Sequence, residues 1–328
     1  MTTNRPTVVV TRTIPAAGLD LLERSCDVRL WEGALPPAPE ELRDLLTGAD
    51  GALTLLTDRV DAELLNAVPG LRVVSNFAVG YDNIDVPAAT ERGVAVCNTP
   101  DVLTETTAEF AFALMMAAAR RIPEGVDNVR SGAWRTWGPQ TLLGQDVVGA
   151  TIGIVGFGRI GQAFARLCQG FSTRILVHHR HPDPGLAAEL GVEFVTMDEL
   201  LAESDIVSLH VPLTKETHHL IDRAALDAMK PTAILVNSAR GLIVDHDALV
   251  EALSEERIFA AALDVTDPEP LPADHPLVAL PNCLVVPHIA SATVRTRDRM
   301  ALIAAENILH LFNGTDPPAV VNPEVLKR

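Results

Sequence analysis

The chain has 328 residues, with 48% hydrophobic and only 4% aromatic side chains, so it exceeds one typical domain and holds enough apolar surface for two cores. A formal net charge of -17 argues against nucleic acid or an anionic membrane as partner, since repulsion opposes both. Cys26, Cys97, Cys168 and Cys283 show no CxxC or metal-like spacing. They read as reduced apolar fillers, and no metal site is expected.

The N-terminal stretch runs directly into an apolar strand without a signal-peptide pattern. Even Phe110 to Ala119 is about half the ~20 apolar residues that a membrane span needs. The expectation is a cytoplasmic protein.

In chain order, apolar runs at Val8 to Thr11, Val28 to Trp31, Ala52 to Leu56, Val73 to Phe77 and Val94 to Cys97 alternate with amphipathic stretches. This βαβα rhythm predicts a parallel sheet covered on both faces. Thr104 to Arg121 reads as a helix with a capping box at Thr106-x-x-Glu109 and Arg120-Arg121 at the C-terminal end of its dipole. Arg130 to Val148 is a polar, Trp-containing excursion, and a loop of that length is usually functional.

A second βα series follows, with strands at Thr151 to Val155, Arg174 to His178, Val192 to Val195, Asp205 to Leu209, Ala233 to Asn237, Ala260 to Asp264 and Cys283 to Val286. A helix at Val294 to Phe312 leads back toward the first domain. The fold class expected is α/β, with two Rossmann-like or flavodoxin-like doubly wound parallel-sheet domains and the active site in the cleft between them. Residues 1–101 plus 292–328 form the discontinuous substrate domain in this reading, and residues 102–291 the dinucleotide-binding domain.

Gly156-Phe157-Gly158-Arg159-Ile160-Gly161 lies between a β-branched run and a stretch of helical periodicity. A glycine hexamer alone is weak, but strand, glycine turn and helix is the order of a dinucleotide fingerprint. The first glycine allows the tight turn, the second lets the backbone approach the pyrophosphate, and the third permits close helix packing. The helix N-terminus then offers N–H groups and a positive dipole end.

An NAD site places an acid about 20 residues further on, to accept the ribose 2′-hydroxyl. Here the next strand ends in His179-Arg180-His181-Pro182, where Arg180 suits a 2′-phosphate. NADP(H) is the preferred cofactor on this reading and NAD(H) the alternative; a basic surface turn is the plainer explanation.

Three residues then follow strands. Arg240, in Asn237-Ser238-Ala239-Arg240-Gly241, places a forked guanidinium where open α/β sheets bind ligands, suited to a carboxylate and a carbonyl oxygen. His288, in Pro287-His288-Ile289, is suited to reversible proton donation near neutral pH. Glu269, in Asp267-Pro268-Glu269-Pro270, is braced beside it to favour the imidazolium. Reduction of a 2-keto acid needs these elements together: an anchored carboxylate, a polarised carbonyl, a hydride and a proton.

These motifs resemble the D-isomer-specific 2-hydroxyacid dehydrogenases over nearly the whole chain. Ala78 to Asp85, Thr99 to Thr104 and Trp134-x-x-Trp137 are similar to the glyoxylate and hydroxypyruvate reductase branch. The resemblance implies that Arg240, Glu269 and His288 are catalytic. It implies that the Val79 and Gly80 amides hold the substrate carboxylate with Arg240, that Leu56 lines the pocket, and that Trp137 reaches into a partner subunit's pocket in a homodimer. It places Asp264 at the nicotinamide carboxamide, with Val211, Pro212, Ser238, Ala239 and Ala290 facing the cofactor. Ala290 stands where that branch usually has Gly.

The activity implied is NADPH-dependent reduction of glyoxylate and hydroxypyruvate to D-2-hydroxy acids. Alternatives are a bulkier 2-keto acid, or a nucleotide-sensing corepressor-like protein with little turnover. Phosphite-oxidising relatives carry a Lys where this chain has Val79, which speaks against that activity.

Overall fold

The computed structural model describes residues 5–327. Two compact units divide the chain, one running up to Leu103 and resuming at Ala292, the other spanning Thr104–Ser291.

The first unit contains β1 (Thr7–Val10), α1 (Ala16–Glu23), β2 (Asp27–Leu30), α2 (Pro39–Leu46), β3 (Gly51–Thr54), α3 (Ala62–Ala67), β4 (Val73–Asn76), α4 (Val86–Glu91) and β5 (Ala95–Cys97). Its five parallel strands run in the order β2-β1-β3-β4-β5, the flavodoxin-like arrangement. Asp61 and Asp85 begin α3 and α4 by accepting backbone N–H bonds from Leu64 and Ala88.

The second unit contains α5 (Thr104–Ala119), α6 (Ile122–Arg130), β6 (Thr151–Val155), α7 (Arg159–Gln169), β7 (Arg174–His178), α8 (Pro184–Leu190), β8 (Val192–Phe194), α9 (Met197–Glu203), β9 (Ile206–Leu209), α10 (Arg223–Ala228), β10 (Ile234–Asn237), α11 (His246–Ser254), β11 (Ala260–Leu263), α12 (Pro276–Ala279) and β12 (Cys283–Val285). Its seven parallel strands run β12-β11-β10-β9-β6-β7-β8. The order reverses between β6 and β9, which makes a ligand crevice at their carboxyl ends. The last helix, α13 (Val294–Phe312), packs on α1 and β4 within the first unit.

The inner strands of both sheets are buried on both faces, as their unbroken apolar runs require, while the edge strand β2 exposes Asp27 and Arg29. Val8, Val9 and Val10 are fully buried in one, and Ile152, Ile154, Leu235 and Val236 in the other. Each such side chain contributes roughly 1.5–3 kcal/mol on burial. This exceeds the ~1 kcal/mol net of a single hydrogen bond, so apolar packing sets the sheets while polar groups shape their ends.

One expected helix is divided. The spacing predicted a single helix from Thr104 to Arg121, but α5 ends at Ala119 and Arg121 adopts a left-handed φ of 51°. Arg121 instead heads α6 and pairs with Glu124 at 2.8 Å. Thr106 lies inside α5, so Thr106-x-x-Glu109 is not its capping box. Arg120 and Arg121 lie outside its last turn. The excursion expected from Arg130 begins only after α6, whose amphipathic character the sequence reading missed.

Candidate active site

In the seven-stranded unit the glycine loop has the shape its spacing implied. Gly156 has a φ of 94°, and a Cβ there would lie 2.6 Å from the His210 carbonyl oxygen. A Cβ on Gly161 would lie 2.3 Å from the Gly156 oxygen, so both positions require glycine. Above Gly158 a Cβ would meet nothing within 4 Å. Gly158 also begins α7 without a side-chain cap, with Arg159 and Ile160 next in the first turn. That open backbone, beside the helix N-terminus, fits a pyrophosphate.

His210 explains part of the loop's floor. Its backbone N–H donates to the Val155 carbonyl at 2.7 Å, its Nε2 lies 2.9 Å from Ser208 Oγ, and its ring packs on Phe164. Burial pushes its basicity down to about 3, so it is a neutral, structural ring. Val211, whose Cγ1 would stand 2.7 Å from a Gly156 Cβ, continues this wall toward the exposed Pro212.

At the end of β7, the Phe157 backbone N–H donates to His179 Nδ1 at 3.2 Å. His179 is thereby neutral at Nδ1. Partial burial, then the charges of His181 and His178, lower its proton affinity. Its ring lies 6.4 Å from that of His181. Arg180 is exposed and within electrostatic reach of Glu216.

The segments after β10, β11 and β12 carry Arg240, Glu269 and His288. Asn237, fully buried, accepts the Ala239 N–H at 3.0 Å and donates to the Arg240 carbonyl at 2.8 Å, shaping the turn that presents Arg240. Ser238 Oγ is buried without a hydrogen-bond partner, an acceptor and donor left over for a ligand at the expected cofactor face.

His288 Nδ1 and Glu269 Oε1 stand 2.6 Å apart. Burial works to raise the Glu269 proton affinity. The His288 hydrogen bond and charge, the Thr266 backbone and Arg240 outweigh it, and hold the carboxyl below its ordinary range. Arg240, Glu269 and His288 therefore share one electrostatic neighbourhood. With Nδ1 engaged by Glu269, Nε2 is the ring nitrogen left for a reacting oxygen.

Asp264 ties these loops together. Its carboxylate accepts the Ile289 N–H at 2.6 Å and the Ala290 N–H at 2.9 Å, and its carbonyl accepts the His288 N–H at 2.8 Å. Burial raises its proton affinity while the two amides and the nearby His288 lower it, leaving it above the usual carboxylate range. Ala290 is buried against this tie.

The other sequence-selected residues lie in separate places. Leu56, Val79 and Gly80 are half-buried in the five-stranded unit, in the turns after β3 and β4. Asn76 donates to the Gly80 carbonyl at 2.9 Å, Asn98 to the Val79 carbonyl at 2.8 Å, and Asn83 to the Leu55 and Asp58 carbonyls at 3.1 and 2.9 Å. Asp58 in turn accepts the Leu55 N–H at 2.7 Å and bonds Thr11. Trp137, in the irregular segment after α6, is 79% exposed, and Trp134 is 60% exposed.

Sequence reasoning missed these asparagines. Their signal was an amide at the end of apolar strands, at Asn76, Asn98 and Asn237, where nothing apolar is needed. Among the described residues no cluster of three or more His, Cys, Asp or Glu forms a metal site, and no helix is long and apolar enough to cross a membrane.

A parallel sheet with an open glycine loop at its reversal point, and a coupled Arg, Glu and His at neighbouring strand ends, defines a dinucleotide-dependent oxidoreductase. Residues 112–290 match the family model described as D-isomer specific 2-hydroxyacid dehydrogenase, NAD binding domain. A glyoxylate reductase of Korarchaeum cryptofilum is 51% identical over 324 residues, covering 98% of each chain, and one of Aeropyrum pernix is 50% identical over 327. Among solved structures, a Thermus thermophilus protein matches with a TM-score of 0.90 at 49% identity, over 96% of this chain and 99% of its own. An NADPH-dependent glyoxylate/hydroxypyruvate reductase from Sinorhizobium meliloti, in complex with NADP and malonate, matches with a TM-score of 0.86 at 33% identity, over 97% of both chains. The chain belongs to the D-isomer specific 2-hydroxyacid dehydrogenase family.

Proposed function

We propose that the protein reduces small 2-keto acids, glyoxylate and hydroxypyruvate, to D-2-hydroxy acids, with NADPH preferred over NADH. The observation that carries this reading is the 2.6 Å pairing of His288 Nδ1 with Glu269, beside Arg240. The names of the glyoxylate reductases above support the choice of substrate.

The bound nicotinamide supplies the hydride to C2 of the keto acid. Arg240 holds the substrate carboxylate and polarises the carbonyl through its fork. His288 donates the proton from Nε2 to the carbonyl oxygen as the alkoxide develops, and Glu269 keeps the ring charged and aimed. The Val79 and Gly80 amides are further donors for the carboxylate, and Leu56 limits the side-chain end of the pocket. The family likeness supports these three assignments.

For the cofactor, Gly156, Gly158 and Gly161 with Arg159 and Ile160 hold the pyrophosphate. Arg180, flanked by His179 and His181, takes the 2′-phosphate. Val211, Pro212, Ser238, Ala239, Asp264 and Ala290 face the nicotinamide half. The exposed Trp137 and Trp134, with Ile122 and Val129 also exposed, support a homodimer in which Trp137 anchors the partner contact. Four cysteines kept as free thiols support a cytoplasmic location.

Initial rates with glyoxylate, hydroxypyruvate and phenylpyruvate, each with NADPH and NADH, test the reading. Rapid NADPH-dependent turnover of the two small acids is the expected result. NADH preference refutes the Arg180 assignment, and faster turnover of phenylpyruvate refutes the small-substrate assignment.

A further inference from the structure

Outside the acid–base set, the seven-stranded unit buries a titratable side chain that the mechanism above does not use. His246 is the first residue of α11, on the loop that follows Arg240, and is only 7% exposed. Its Nδ1 lies 3.0 Å from the Asp267 carbonyl oxygen and 3.2 Å from the Asp267 backbone nitrogen. Asp267 opens the turn that ends at Glu269 and Pro270.

A second contact joins the same two loops. A Cβ on Gly241 would stand 2.0 Å from the Thr266 carbonyl oxygen, so the backbone following Arg240 is closed directly against the backbone leading to Glu269. Thr266 Oγ1 then donates to the Pro268 carbonyl at 2.9 Å, shaping the turn from within. The far shoulder of the excursion is His275, whose ring meets that of His246 edge-on at 6.5 Å.

From this geometry we propose that His246 is a positioning residue for the reaction: through the Asp267 backbone it fixes the Glu269 turn, and so aims Glu269 at His288. The proposal rests on the roles given above to Glu269 and His288.

The ring's chemistry makes the contact conditional. Nδ1 either accepts the Asp267 N–H or, carrying a proton, donates to the Asp267 carbonyl, but does not do both at once. Nε2 is buried without a partner, so a charged ring would bury an unpaired N–H donor. The titratable groups that face it are Asp267, His275 and His219, and His219 stands 4.0 Å from Asp245. Burial, the largest influence, lowers its proton affinity against the opposing Asp267 backbone bond and charge, and His275 and His219 lower it further. Since the folded ring binds its proton more weakly than an unfolded one, its contribution is fully present above about pH 6.5 and is lost as pH falls through the lowered value.

The test compares His246→Leu, His246→Asn, Glu269→Gln and the His246→Leu/Glu269→Gln double variant. Asn keeps a hydrogen-bonding atom near the Nδ1 position, whereas Leu does not. His246→Leu is expected to lower kcat no further than Glu269→Gln does, by up to about tenfold on the alkaline side of the profile, with a small change in KM. It should also move the alkaline limb of the pH profile in the same direction as Glu269→Gln. His246→Asn should restore most of the rate, and the double variant should resemble Glu269→Gln alone.

An unchanged profile in His246→Leu, or a shift that adds fully to that of Glu269→Gln, overturns the positioning role while leaving the Glu269 reading intact. An unchanged profile in Glu269→Gln overturns both. Histidine-selective ¹⁵N spectra of the unaltered enzyme give a measurement that no folding defect can obscure. His246 should remain neutral at pH values where an unfolded histidine, near about pH 6.5, takes up its proton, and protonation of His246 in that range would show that the ring is not held.

Discussion

The two sheets solve the same problem with opposite chemistry. Each must hold turns rigidly at the carboxyl ends of its strands. In the five-stranded unit most of the fastening is done by neutral amides: Asn76, Asn83 and Asn98 donate to backbone carbonyls around Leu55, Asp58, Val79 and Gly80, with the buried Asp58 carboxyl holding the Leu55 amide beside them. In the seven-stranded unit Asn237 shapes the Arg240 turn and ionisable groups do the rest, with Asp264 on the Ile289 and Ala290 amides and Glu269 on His288. Asn76 and Asn98 put no charge on the Val79 and Gly80 turn, which in the proposed reading receives the substrate anion. The ionisable groups sit where the proposed mechanism moves a proton. In that reading, placing the charge, rather than rigidity alone, separates a binding edge from a reacting edge.

The sharpest way to break this contrast is at His288. Replacing it with Asn should lower kcat by about 10²–10⁴-fold, the usual worth of a positioned proton donor, while NADPH affinity in a fluorescence titration stays nearly constant. A small loss of turnover would remove the proton from this edge and with it the contrast. Arg240→Gln comes next. Loss of a forked charged contact should cost about 2–5 kcal/mol, on the order of 30- to 3000-fold in kcat/KM for glyoxylate. Arg240→Lys should recover only part of this, because a point charge cannot hold carboxylate and carbonyl together.

How legible this was in the sequence also divides along the two edges. The parallel sheets were readable because apolar runs such as Ile152 to Val155 and Leu235 to Val236 bury both faces, a property of composition and period. Gly156 and Gly161 were readable because the chain's own backbone closes on them and admits no side chain, and Gly158 through its spacing between them. Arg240 and His288 were readable because each follows a strand, and Glu269 because prolines brace its turn.

Apart from the Glu269–His288 pair, what escaped was the set of contacts made by side chains reaching across sequence. Asn83 bonding Leu55, Asp264 bonding Ala290 and His246 bonding Asp267 link positions that no local period connects. The break between α5 and α6 escaped for a different reason. Arg121 adopts a left-handed conformation that carries no glycine to announce it.

The neutral edge can be tested at Asn83. Asn83→Asp turns two donated bonds into an oxygen facing the Leu55 and Asp58 carbonyls, and buried partners left unsatisfied cost about 1–3 kcal/mol. The loss should be seen in urea unfolding and, if the edge binds the carboxylate, as a higher KM with little change in kcat. A fall in kcat with constant KM would mean that this edge takes part in the chemical step, and the division between binding and reacting edges would fail.

The smallest expected effect falls on Glu269, and it is the most specific. Glu269→Gln keeps the size of the side chain and a hydrogen-bonding oxygen, and removes only the charge beside His288. Without that charge the imidazolium loses a stabilising partner, so the alkaline limit of reduction should move down by about one pH unit, the equivalent of ~1.4 kcal/mol. The acid side follows from the carboxyl itself. Because the folded carboxyl lies below its ordinary value, its contribution is fully present above about pH 4.3 and is lost only as pH falls through the lowered value. An unshifted alkaline limb would show that Glu269 orients the ring without charging it, and the reacting edge would then differ from the binding edge in geometry alone.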